Sequence, residues 1–132
     1  MGAREALGRL KRMPQITVDY SDALDEVFDR RGFALALHPL TAKIIGTTVE
    51  ACKTRFRRVE EIVIADGEPQ HAVLHTEFGI LAGRTPEVKA ELSEAVVALA
   101  REHTVAAAPG LTVHISVDVT DLSPAYRKHV GP

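Results

Sequence analysis

The sequence contains no tryptophan, only four phenylalanines and two tyrosines. A core built from it is therefore expected to be aliphatic. The single cysteine, Cys52, excludes an internal disulfide and any multi-cysteine metal site, and an unpaired cysteine fits a reducing cytoplasm. No apolar run approaches the roughly eighteen residues that a membrane-spanning helix needs. Neither sign of charge dominates: the formal net charge is -2, which argues against general nucleic-acid binding, since that favours a strongly basic domain. Residues 1–12, MGAREALGRLKR, lack the apolar h-region of a secretory signal. Gly2 is followed by Ala6 where myristoylation wants Ser or Thr. That stretch reads as a disordered extension or a mis-assigned start. What remains is ordinary for a globular protein: 132 residues, 45% hydrophobic and 26% charged. This length gives one domain, placed at residues 13–124, with a tail at 125–132.

Hydrophobic periodicity orders the elements. Ile16 and Val18 alternate with Thr17 and Asp19, the period of two of a half-buried strand. Leu24, Val27 and Phe28 run into Arg30-Arg31-Gly32, so a short turn is expected there. Phe33, Leu37, Leu40 and Ile44 lie on one face of a helix that ends at Gly46. Pro39 inside it should kink it or mark its first turn. Residues 51–64 read as a strand pair or one long bent strand, followed by Asp66-Gly67, a hairpin-type turn. Ala72, Leu74, Thr76, Phe78 and Ile80 predict a further strand. Thr85-Pro86-Glu87 is a clear helix start, combining a capping hydroxyl, a proline suited to the first position and an acid at the positive end of the dipole. Val88, Leu92, Ala95, Val96 and Leu99 supply the buried stripe of that helix. Val113, Ile115, Val117 and Val119 give the last strand, and the tail from Leu122 shows no usable period. The order strand, helix, strand occurs twice. Two βαβ units in so small a domain predict an α/β fold with one mixed sheet and both helices on one face. The other face, which carries Val73, should be partly buried by a partner subunit.

Chemistry centres on Met13-Pro14. If translation starts at Met13, its removal leaves Pro14 with a free secondary amine. Such a nitrogen can act as a general base, whereas an acylated one has its lone pair delocalised into the amide. An α-amine has a pKa of about 8 and a proline amine starts higher; burial and nearby cations both disfavour its protonated form. Lys53, Arg55 and Arg57 share one face of a strand, and Arg84 precedes a helix N-terminus, a place suited to anions. Arg57 and Arg58 read as solvated edge charges. His71 and His75 lie four apart on a strand, far from each other, with no third ligand, so no metal site is expected. Cys52 reads as a small packed hydrophobe. There is no Ser-His-Asp order, P-loop or dinucleotide fingerprint.

Taken together, Met13-Pro14, Ser21-Asp22, Gly32, Pro39, Ala65-Asp66-Gly67, His75, Ala82-Gly83-Arg84-Thr85 and Leu122-Ser123-Pro124 resemble the 5-carboxymethyl-2-hydroxymuconate isomerases of the tautomerase superfamily. The resemblance implies a homotrimer of paired βαβ units with a pocket near a subunit boundary. It further implies a cofactor-free proton shift, from an enol or dienol to a conjugated ketone, on a small polycarboxylated acid from aromatic-compound breakdown. By the same resemblance Pro14 is the base, and Lys53 and Arg84 hold substrate carboxylates. The first of these two positions is usually arginine in the family; here lysine keeps the charge without the bidentate fork, and Arg55 is placed to compensate. His114 is expected to face the trimer interior. Two alternatives stand beside this reading: a hydratase or dehalogenase of the same fold, and a non-catalytic trimeric binding protein if Pro14 stays acylated.

Overall fold

The computed structural model describes residues 14–104 and 109–132; the expected extension at residues 1–12 lies outside them. The first strand, β1, is Gln15–Ser21. Its alternation fixes its faces, for Ile16, Val18 and Tyr20 are buried while Gln15, Thr17 and Asp19 are not. The expected turn follows as a short 3₁₀ segment, Asp22–Leu24, and it still supplies Leu24 and Phe28 to the core. Helix α1, Arg30–Ile45, is capped by Asp29, which accepts from the Gly32 amide, and it ends where Gly46 turns left-handed with φ 70. Only a residue without Cβ strain adopts that turn readily. Pro39 lies within α1 on its exposed side.

Strand β2 is Lys53–Val59 and β3 is His71–Ile80. Helix α2, Pro86–Glu102, starts as the sequence predicts, with the Thr85 hydroxyl accepting from the Val88 amide at 3.2 Å. Strand β4 is Thr112–Asp121. The strands stand in the order β2-β1-β3-β4. β1 pairs with β2 in parallel, β3 with β4 in parallel, and β1 with β3 antiparallel. The sheet is thus two parallel βαβ units joined back to back. Both helices supply the core: Phe33, Leu37 and Ile45 from α1, and Leu92, Val96 and Ala100 from α2, pack with Ile16, Val18, Leu74, Phe78 and Ile80 of the sheet. Residues in alternation with these, including Val73, fall on the helix-free face.

Three expectations change. Residues 60–64 are not strand: β2 stops at Val59, whose partner is Ser21, the last residue of β1. With no neighbouring strand beyond that point the ladder has nothing to pair with, and Val63 is left 82% exposed. Asp66-Gly67 does form a turn, with the Gly67 amide 2.8 Å from the Ile64 carbonyl. It is no hairpin, because it joins β2 at the sheet edge to β3 on the far side of β1. The core is also less purely aliphatic than the composition suggests. Phe28 packs edge-on against Tyr20, Phe33 and Phe56, with ring centroids 5.8, 5.5 and 6.0 Å away. Few aromatics are present, but they are concentrated where α1 crosses the sheet.

The tail, aperiodic in sequence, is nevertheless tied to the sheet. The Leu122 amide donates to the Ile80 carbonyl at 2.7 Å. Its side chain lies over Gly79, where any Cβ would come within 2.7 Å of Leu122 Cδ2. The absence of a side chain at residue 79 is what lets the tail approach.

Candidate active site

Pro14 is buried and immediately precedes β1. Its neighbour Gln15 pairs with Lys53 at the beginning of β2 and with Gly79 near the end of β3. Parallel pairing on one side and antiparallel pairing on the other therefore bring three things to one end of the sheet: the start of β1, the start of β2 and the segment leaving β3. Arg84 stands on that departing segment, four residues beyond Ile80. The structure thus gathers Pro14, Lys53, Arg55 and Arg84 at one end of the sheet.

The cations there differ from those at the other end of β2. Arg57 forms a two-pronged ion pair with Asp19 at 2.7 and 3.0 Å. Arg58 reaches Asp25 at 3.4 Å and Glu60 at 2.9 Å. These two lie on the edge strand, as expected, but rather than being only solvated they are neutralised by carboxylates of the protein itself. Lys53 instead donates to the Ala51 carbonyl at 2.8 Å, and Arg55 to the Gln15 side-chain carbonyl at 3.2 Å. Among the described residues no carboxylate forms an ion pair with either. Arg84 is half-buried and donates to main-chain carbonyls, to Ile45 at 3.0 and 3.3 Å and to Leu81 at 3.2 Å. Burial lowers its pKa, but a guanidinium stays charged at any physiological pH. Its bonds lock the end of α1 to the segment that follows β3. At Lys53 and Arg55, positive charge opposed by a neutral carbonyl and a neutral amide is suited to an incoming carboxylate, which would meet charge-assisted donors without displacing a resident acid.

The core side of this end is apolar. Ile16, Ile45, Cys52 and Ile80 are all buried at this end. The Cys52 thiol points to the Thr48 and His38 carbonyls at 3.5 and 3.8 Å, and burial pushes its pKa up to about 11. It is the packed small hydrophobe that the sequence suggests. A thiol held neutral in this way should react with Ellman's reagent at pH 8 far more slowly in the folded protein than in denaturant. Because the folded pKa lies above the ordinary value of 9.0, the stability it contributes is complete below pH 9.0 and lost as pH rises toward about 11. Urea midpoints across that range should fall more for the native chain than for Cys52→Ala.

Two further partners at this end are not singled out from the sequence. Gln15 bridges Arg55 and Tyr126, donating through Nε2 to the Tyr126 hydroxyl at 3.0 Å. Gln15 carried a readable signal, since it alternates out of the core directly after Pro14; Tyr126 had none, because its segment is aperiodic. His71, His75 and His114 lie away from this cluster on the helix-free face. His71 Nδ1 and His114 Nε2 stand 3.1 Å apart, and His75 contacts the Ser116 hydroxyl at 2.6 Å. His71 and His75 do not meet each other; cross-strand partners occupy both. Among the described residues no group of three or more metal-ligating side chains could hold a metal ion.

The family model described as 5-carboxymethyl-2-hydroxymuconate isomerase matches residues 14–130. The chain belongs to that family. The match begins at Pro14, includes Lys53, Arg55 and Arg84, and extends through Tyr126. Among curated proteins, the 5-carboxymethyl-2-hydroxymuconate Delta-isomerase of Escherichia coli is 26% identical over 115 residues, covering 87% of this chain and 91% of that protein. The crystal structure of a 5-carboxymethyl-2-hydroxymuconate isomerase from Deinococcus radiodurans R1 superposes with a TM-score of 0.78 at 28% identity, covering 92% and 93% of the two chains. A fused 4-OT symmetric trimer shares the fold with a TM-score of 0.61 at 19% identity, covering 82% and 85%. The expected tautomerase-like architecture and isomerase class are therefore established for this 5-carboxymethyl-2-hydroxymuconate isomerase family member.

Proposed function

We propose that the protein converts a small polycarboxylated dienol, 5-carboxymethyl-2-hydroxymuconate or an acid of the same chemical class, into the conjugated ketone, with the Pro14 nitrogen as base. The supporting observation is the pairing of a buried proline at the head of β1 with Lys53 and Arg55, cations that oppose no carboxylate among the described residues. In the neutral state of the amine, the lone pair takes the proton from the enol oxygen. The oxygen electrons move into the conjugated system, and the ammonium returns the proton to carbon further along it. No redox partner enters, so no cofactor is required. Lys53, Arg55 and Arg84 hold the carboxylates and offset the negative charge on the dienolate. The amine must be neutral to begin, and the same cations together with burial favour that form.

The proposed assembly is a cytoplasmic homotrimer. A helix-free sheet face carrying Val73 supports it, as does the common fold with the fused 4-OT symmetric trimer. Among the described residues no helix is long and apolar enough to cross a membrane.

The test is a ketonisation assay, followed spectroscopically, with a dicarboxylated dienol and the chain that starts at Pro14. Lys53→Ala and Arg55→Ala should each raise KM by roughly tenfold or more, the scale of a hydrogen bond to a charged group, with a smaller change in kcat. Unchanged KM in both variants would remove carboxylate binding from the start of β2.

A further inference from the structure

The direction of the Arg55–Gln15–Tyr126 chain is set by chemistry. A guanidinium has donors and no acceptor, so the group that Gln15 turns toward Arg55 must be its carbonyl oxygen. That contact is Arg55 Nη1 to Gln15 Oε1 at 3.2 Å. The Gln15 amide nitrogen is thereby committed to the other side, where it stands 3.0 Å from the Tyr126 oxygen. An amide nitrogen can only donate, so the phenol accepts. The Tyr126 O–H is then left over, and no acceptor for it occurs among the described residues. Each bond in the chain is polarised by the cation at its head, which makes the last hydroxyl a better donor than an isolated phenol.

The placement of this spare donor is also determined. Gln15 directly follows Pro14 and pairs with Lys53, so the chain starts at the same end of the sheet as the proposed base. Tyr126 is held there from the tail, which the Leu122–Ile80 bond and the contact over Gly79 fold back onto the sheet. The ring is half-buried, leaving its hydroxyl reachable. We infer that Tyr126 is a substrate-binding residue whose hydroxyl donates to the carboxylate that Arg55 also holds. This rests on the carboxylate-binding role given above to Arg55. It assigns the C-terminal segment to the substrate site, as part of the machinery that selects dicarboxylates over monocarboxylates.

Tyr126→Phe tests this by removing one oxygen and keeping the ring. The variant should raise KM for a dicarboxylated dienol about tenfold, the scale of a hydrogen bond to a charged group, with kcat little changed. The effect should shrink toward onefold with a monocarboxylated dienol that lacks the group in question. A purely structural role for the hydroxyl would not discriminate between the two substrates. In parallel, calorimetric titration with adipate should show Kd raised about tenfold by Tyr126→Phe, with a further rise when Arg55→Ala is added, because Arg55 also holds the carboxylate directly. A native enzyme that turns over the dicarboxylate, with equal KM in Tyr126→Phe, overturns this inference and leaves the proposed reaction standing. A native chain starting at Pro14 that shows no turnover at all overturns the proposed reaction. Adipate then decides Tyr126 separately: equal binding by both proteins, or binding by neither, rejects the assignment.

Discussion

Placing one uncleavable residue ahead of Pro14 should lower the ketonisation rate by about 10²–10⁴-fold, the usual contribution of a positioned proton-transfer group. The extra residue turns a secondary amine into a tertiary amide. Its nitrogen lone pair is then shared with a carbonyl and cannot accept a proton. The fold should survive, because Pro14 lies outside the ladder and β1 begins only at Gln15. The two effects are therefore separable: the circular dichroism spectrum and urea midpoint should hardly move while turnover falls. KM should shift less than kcat, since the proposed carboxylate holders are Lys53, Arg55 and Arg84 rather than the proline. If the blocked chain keeps its rate, another group carries the proton.

Phe78→Ala should cost roughly 3–5 kcal/mol of folding stability, the range for removing a fully buried phenylalanine. Phe78 is 0% exposed and sits in β3, an inner strand with neighbours on both sides. It pairs with Ile16 of β1 and with Val119 of β4, so its ring joins the two βαβ units. The core that Phe78 belongs to draws side chains from both helices and the sheet, and these cannot collapse into the void together. The loss should appear as a lower urea midpoint at fixed protein concentration, because assembly would add a concentration dependence. Activity should fall as well, in proportion to the unfolded fraction, since β3 leads directly to Arg84. A loss below about 1 kcal/mol would mean that the two units are not joined through this residue.

Most of the scaffold was legible because its signals are local. The alternation of Ile16 and Val18 with Thr17 and Asp19, the Thr85-Pro86 helix start and the Gly46 stop each depend on a few consecutive residues. The failures share a different cause. Residues 60–64 have strand-like composition, yet a strand needs a neighbour, and β1 ends at Ser21. Whether a partner exists at that point is a property of the whole sheet. Asp66-Gly67 was readable as a turn but not as a crossing, for the same reason. The site divides likewise. Pro14 and the β2 cations were visible from local pattern and family likeness together. The separation of Lys53 and Arg55 from Arg57 and Arg58 required Asp19 and Asp25, which lie more than thirty positions away in the chain. Tyr126 depends on a separation of 111 residues from Gln15 and on the missing side chain of Gly79, and no window of sequence contains both.

The most direct measurement is the intact mass of the enzyme purified by its ketonisation activity from its own host. The expected mass is that of a chain whose first residue is Pro14. Full turnover in a fraction whose mass retains the residues before Pro14 would contradict the assignment of the base, because every such molecule carries that nitrogen in an amide.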